Sequence, residues 1–171
     1  MRWKGTAGLS ATFAARRAWI HVDTPALEPD AVRRIRTRYD RLRPGAFAEA
    51  FFERLFAAMP DVRPLFPADL VTHGEYVEAA VAVVIRNLAD LHVLIRPLEE
   101  LGAEHVGRGI HAGHLVGAQP VLLAAIRDLA DGGWSTQDER DWARAFSAML
   151  APMVRGAAAA TAARSPARAR G

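Results

Sequence analysis

Leu94-Ile95-Arg96-Pro97-Leu98-Glu99-Glu100-Leu101-Gly102-Ala103-Glu104-His105 sets leucines at 94, 98 and 101 ahead of a histidine at 105. Steps of three and four residues put Leu94, Leu98, Leu101 and His105 on one face of a helix. Pro97 suits a first helical turn, and Gly107 and Gly109 suit the end of the same helix. The imidazole therefore follows a leucine stripe into a core. A ring nitrogen buried there needs a partner, because an unmet hydrogen bond costs free energy. Two readings fit that position. One is a core histidine bonded to a backbone carbonyl. The other is an axial ligand, for which a neutral imidazole in apolar surroundings is suited. The rest of the chain chooses between them by whether it supplies the other half of a pocket.

Outward from this stretch, residues 29 to 156 read as helix, with no strand alternation of useful length. Val32, Ile35, Tyr39 and Leu42 stripe a first helix rich in arginine, and Pro44-Gly45 breaks it. Phe47, Phe51, Phe52, Leu55 and Phe56 load a second helix, which Pro60 ends. Leu70, His73, Val77, Ala80, Val81, Val84, Leu88 and Leu91 share one face of the next. After the helix of His105, apolar residues from Leu115 to Leu129 predict another. The break at Asp131-Gly132-Gly133 precedes a last helix carrying Trp142, Phe146, Met149, Leu150 and Met153. Thr136 with Glu139 has the spacing of a capping box. Pro120 falls inside the fifth of these segments, which predicts a later start or a kink there.

A chain of 171 residues, 51 % of them hydrophobic, suits one domain with a real core. The absence of cysteine excludes disulfides, iron–sulfur clusters and thiolate chemistry, and a cytoplasmic location is the expectation. The ends, 1–22 and 155–171, hold eight of the 22 basic residues and none of the 19 acidic ones. The stretch between them carries a net charge of −5, which argues against nucleic-acid binding. No apolar run approaches a transmembrane span. Residues 1–28 read as a flexible N-terminal extension and 157–171 as a disordered tail rich in alanine and arginine.

His73 is the second inward histidine. It lies four residues before Val77 on the apolar face of a different helix. Two such histidines can face each other across a cavity. Gly74 and Ala48 are small enough to let their helices cross closely, and Phe52, Phe66 and Val77 offer a dry wall. A flat, apolar, iron-bearing ligand suits such a space, with one imidazole beneath the metal and one above.

The stretches Phe51-Phe52-Glu53-Arg54-Leu55-Phe56-Ala57-Ala58-Met59-Pro60-Asp61-Val62-Arg63-Pro64-Leu65-Phe66 and Leu101-Gly102-Ala103-Glu104-His105-Val106-Gly107-Arg108-Gly109-Ile110 resemble the globins. The nearest branch is the single-domain bacterial haemoglobins and the globin module of flavohaemoglobins, over roughly residues 30–155. The resemblance implies an all-α globin fold of six to eight helices, with one globin domain at 29–156. It implies haem b held by His105 as proximal iron ligand, with the other ring N–H going to a carbonyl such as that of Leu101. His73 takes the distal position, as a donor to the ligand or as a second iron ligand. Phe66 packs on the haem face, and Val77 and Phe52 line the distal side. Arg63, Arg108 and Tyr76 are lesser candidates for the rim. His111, His114, His92 and His21 read as surface or loop residues.

Three departures shape the functional expectation. The branch commonly has a tyrosine where Phe52 stands, so one donor is missing. It also places a tyrosine and a glutamate behind the proximal histidine, where Leu115 and Ala157 fall. A globin that reversibly binds oxygen or another diatomic gas, or carries it, is therefore the first expectation. Nitric oxide dioxygenation with an external reductase is the second, since no glycine-rich dinucleotide motif is present. A gas- or redox-sensing globin is the third.

Overall fold

A computed structural model of the chain describes residues 27–131 and 133–164. His21, nearly all of the expected N-terminal extension and positions 165–171 of the expected tail lie outside the described residues. Six α-helices and no strand occur among the described residues: α1 Pro29–Tyr39, α2 Ala46–Ala58, α3 Leu70–Arg86, α4 Ile95–Gly107, α5 Ala112–Asp128 and α6 Thr136–Arg164. Two 3-10 segments, Pro60–Leu65 and Leu88–Leu94, link α2 to α3 and α3 to α4.

Local chemistry explains most of the boundaries. Pro29 opens α1, where its missing N–H costs nothing, and Arg36 and Arg38 sit favourably at the C-terminal end of the helix dipole. Gly45 enters α2 with φ 84°, a left-handed conformation that glycine adopts freely. Asp69 caps α3 by accepting from the Thr72 N–H at 3.1 Å. That helix stops at Arg86, earlier than the apolar stripe to Leu91 predicts. Asp90, at φ −142° and ψ 50°, is not helical, and Leu88 turns into the core from the 3-10 segment instead.

All six helices contribute to the core, α3 through Val81, Val84 and Ile85 and α4 through Leu98 and Val106. Phe47, Phe51, Ile126, Trp142 and Phe146 are buried in it. Arg34 of α1 donates to the buried carboxylate of Asp141 on α6 through Nε at 2.9 Å and Nη2 at 2.6 Å, while Gln137 donates to its other oxygen at 2.7 Å. Each carboxylate oxygen is thus satisfied, as a buried charge requires.

The most extensive helix pairing is α4 against α6. Two glycines make it possible. A Cβ added at Gly102 would stand 2.0 Å from the Met153 carbonyl oxygen, and one at Gly156 would stand 1.9 Å from that of Glu99. Backbone meets backbone here, and Arg155 of α6 closes the edge with an ion pair to Glu99 at 3.0 Å. By contrast, α3 and α4 are not among the closely packed pairs.

Four expectations need correction. Residues 157–164 are not a disordered tail: α6 continues to Arg164, and Ala157 is fully buried. Its alanines look like a solvated tail in composition, but they prolong a helix already docked on α4. At the other end Leu27 belongs to the core, ahead of the expected boundary at 29. Pro120 does not delay α5, which starts at Ala112 and runs through it. The cap of α6 is Ser135 with Asp138, one position before the predicted pair: the Asp138 N–H donates to Ser135 Oγ at 3.0 Å, and the Ser135 N–H donates back to Asp138 Oδ2 at 2.9 Å. Glu139 instead receives the Trp134 indole N–H at 2.5 Å.

Candidate cofactor site

A cavity of about 660 Å3 is lined by both histidines of the sequence reading. That volume lies within the span typical of small-molecule and cofactor sites. From α3 come His73, Val77, Val81 and Val84. From α4 come Leu98, Leu101 and His105. Phe66 and Pro67 bound one end, and Leu115, Met149 and Met153 lie on the lining contributed by α5 and α6. Three imidazoles, those of His73, His105 and His114, with Tyr76, Glu104 and Arg108, interrupt an otherwise apolar lining. A second hollow of about 1030 Å3 lies along α2 and α3, next to Phe52, Gly74 and Glu78, and contains neither histidine.

His105 occupies the last turn of α4, where the helix presents it beside Leu101 and Leu98. The geometry fixes its tautomer. Nδ1 lies 2.7 Å from the Leu101 carbonyl oxygen. A carbonyl only accepts, so Nδ1 carries a proton, and in the neutral ring the lone pair then lies on Nε2. The ring cannot turn without losing that bond.

His73 stands on α3, held by aromatic rings alone. Its imidazole lies nearly parallel to Phe52, with centroids 5.9 Å apart and an interplanar angle of 24°. Phe66 meets it edge-on at 5.6 Å. No hydrogen bond to His73 occurs among the described residues. Burial lowers its pKa, and the charges of Arg108 and His105 lower it further, so the neutral form is favoured.

The other predicted residues divide. Phe66, Val77 and Leu101 line the cavity as expected. Phe52 does not. It is buried at 5 % exposure against Phe51, Phe56, Phe66 and the back of His73, on the far side from the cavity. The predicted close crossing at Gly74 is present: a Cβ there would stand 3.0 Å from that of Ala48. Tyr76, at 70 % exposure, and Arg108 sit on the cavity's lining. Arg63 is committed elsewhere, to the Pro67 carbonyl at 3.3 Å and over the Phe56 ring. At the start of α5 the His114 ring accepts the His111 N–H at 3.1 Å, and the His114 N–H donates to the His111 carbonyl at 2.9 Å. That cap has no standard sequence signature, and reading them as plain surface residues missed it.

The globin family model matches residues 49–153. The chain belongs to the globin family. The globin is 30 % identical over 115 residues to a flavohemoprotein of Bordetella pertussis, covering 65 % of this chain and 28 % of that protein. A flavohemoprotein of Bordetella bronchiseptica matches to the same extent. It is 27 % identical over 114 residues to the anaerobic nitrite reductase NSHB5 of Oryza sativa subsp. indica, covering 62 % of this chain and 77 % of the relative. The globin thus spans little more than a quarter of the Bordetella proteins it matches. Family membership implies a haem cofactor, and the residues fit one. The slot is apolar, one imidazole has a lone pair free and its other nitrogen tied, and a second imidazole lines the same cavity. No single helix among the described residues is long and apolar enough to cross a membrane.

Proposed function

We propose that this globin holds haem b noncovalently and reversibly binds a diatomic gas, oxygen first. The single observation that carries the reading is the 2.7 Å bond from His105 Nδ1 to the Leu101 carbonyl, inside a cavity that His73 also lines. When bound, haem would supply an iron able to take up a diatomic gas, and His105 would be the residue that holds it. The protein's part is to present His105 Nε2 in a fixed orientation and to keep water out with Phe66, Val77 and Leu101. It also offers His73 as the polar group of the distal side. The Leu101 carbonyl, as acceptor of the other ring proton, fixes the orientation of the His105 ring.

Haemin titration tests this directly. An intense Soret band saturating at one equivalent is expected, and acid extraction should release all the haem, since the chain has no cysteine for covalent attachment. His105→Ala should lose the normal band and regain much of it with added imidazole. A titration with no Soret band overturns the reading and leaves a haem-independent sensing role.

Nitric oxide dioxygenation with an external reductase is the weaker reading. Leu115 lines the cavity and Ala157 is buried, and neither side chain can extend the hydrogen-bond network beyond Leu101. Nitrate formation with a generic reductase should therefore run at least about tenfold below that of flavohaemoglobins, as a loss of about 1.4 kcal/mol in transition-state stabilisation implies. Turnover equal to theirs would reverse the order of the two readings.

A further inference from the structure

We propose that Glu78 is a positioning residue for His73, acting through the start of α2. The inference rests on His73 being the distal group of the cavity. Glu78 lies on α3, one residue past Val77, and its carboxylate reaches across to the N-terminus of α2. Oε2 accepts the Gly45 N–H at 2.8 Å, and Oε1 accepts those of Phe47 at 3.1 Å and Ala48 at 3.2 Å. Those groups are the donors a helix leaves unpaired at its first turn. No local side chain meets them, because the capping position is Gly45. A carboxylate is the best acceptor for them, since it also complements the positive end of the helix dipole.

The clamp sets the register of α2 on α3. Ala48, held by Glu78, sits against Gly74, where an added Cβ would meet its methyl at 3.0 Å and the Phe52 ring at 3.6 Å. One turn further along α2, Phe52 stacks on His73. An imidazole without a hydrogen bond takes its orientation from its ring contacts, and here those are Phe52 and Phe66. Position 78 therefore reaches the cavity by way of Ala48, Gly74 and Phe52. Tyr39 supports the arrangement from α1: its hydroxyl donates to the Glu78 backbone carbonyl at 3.3 Å, and burial foremost, with the Glu78 charge second, pushes its pKa up to about 12, which keeps it a donor.

The test uses the haem-loaded ferrous protein with carbon monoxide, comparing Glu78→Ala, Glu78→Gln, His73→Leu and the double variant His73→Leu with Glu78→Ala. The readouts are the carbon monoxide stretching band, the association rate and the His73 ring resonances by NMR. Glu78→Ala should broaden and shift the band, move the ring resonances and change the rate roughly three- to tenfold. It should also lower the melting temperature by about 3–6 °C through the lost cap. Glu78→Gln should fall between, because its amide oxygen still serves Phe47 and Ala48 while its NH2 faces the Gly45 N–H. In the His73→Leu background the Glu78→Ala change should lower the melting temperature and leave the band where His73→Leu put it. An equal band shift with and without His73 overturns the inference. So does a normal band and rate in Glu78→Ala despite its lower melting temperature. If His73→Leu alone changes neither band nor rate, the distal reading of His73 fails and the inference falls with it; a His73 effect that Glu78 does not touch sinks only the inference.

Discussion

Gly156→Ala is expected to destabilise the protein by about 2–3 kcal/mol, the upper part of the overpacking range, although alanine in an isolated helix is favoured over glycine by about 1 kcal/mol. The sign follows from what the new methyl meets. Its nearest neighbours are the Glu99 carbonyl oxygen at 1.9 Å and carbonyl carbon at 2.6 Å, both backbone atoms of α4. Backbone inside a helix cannot step aside as a side chain can, so α4 and α6 must part along their whole contact. Gly117→Ala serves as the control. Its methyl would meet the Met59 sulfur at 3.1 Å, the far end of a flexible side chain, and helix propensity should then make the change neutral or stabilising. Urea unfolding of both variants gives the comparison. A Gly156→Ala protein as stable as Gly117→Ala would show that the two backbones do not approach as closely as described. Because α4 carries His105, Gly156→Ala should also speed haem loss.

His73→Leu is expected to raise the rate of carbon monoxide association about tenfold or more and to give a five-coordinate ferrous spectrum. His73 lines the cavity, with no tyrosine at position 52, and no hydrogen bond restrains its ring among the described residues; we propose it as the distal imidazole. We therefore expect a resting state in which His73 and His105 both bind the iron, and a gas enters only when His73 withdraws. Each 1.4 kcal/mol favouring the closed form lowers apparent affinity about tenfold. Leucine removes the competitor, and it also removes the N–H donor. Oxygen should accordingly leave faster and the iron autoxidise sooner, so the two gases respond in different senses. Stopped-flow mixing and the ferrous absorbance spectrum decide the matter. A five-coordinate spectrum in the unsubstituted protein would reduce His73 to a donor.

Local periodicity carried the histidines. Leu94, Leu98, Leu101 and His105 lie on one face because the helical repeat puts them there, and Gly74 against Ala48 was legible because small residues on facing helices have few other uses. What failed was information held between elements. Phe52 was placed by position along the chain, but which side of His73 it packs on depends on the rotation of α2 against α3. Glu78 is 33 residues from the first N–H it accepts, so no capping pattern of adjacent residues reveals it. The run after Gly156 has the composition of a solvated tail, and only the glycine crossing with α4 shows why it stays helical. Ser135 with Asp138 and Thr136 with Glu139 share one spacing, and the sequence offers no reason to prefer the pair that forms.

The glycine crossing also bears on the order in which a nascent chain becomes able to receive its haem. The wall formed by α2 and α3 is synthesised early, and Glu78 joins those two helices without help from later residues. The helix of His105 has its main support in α6, and Gly156 follows His105 by about fifty positions. At about 5–20 residues per second, roughly 3–10 s separate the emergence of His105 from that of the surface that holds its helix in place. For that interval the helix of His105 lacks its most extensive partner. On the proposed reading of His105, haem capture therefore waits on the C-terminal stretch of the described chain.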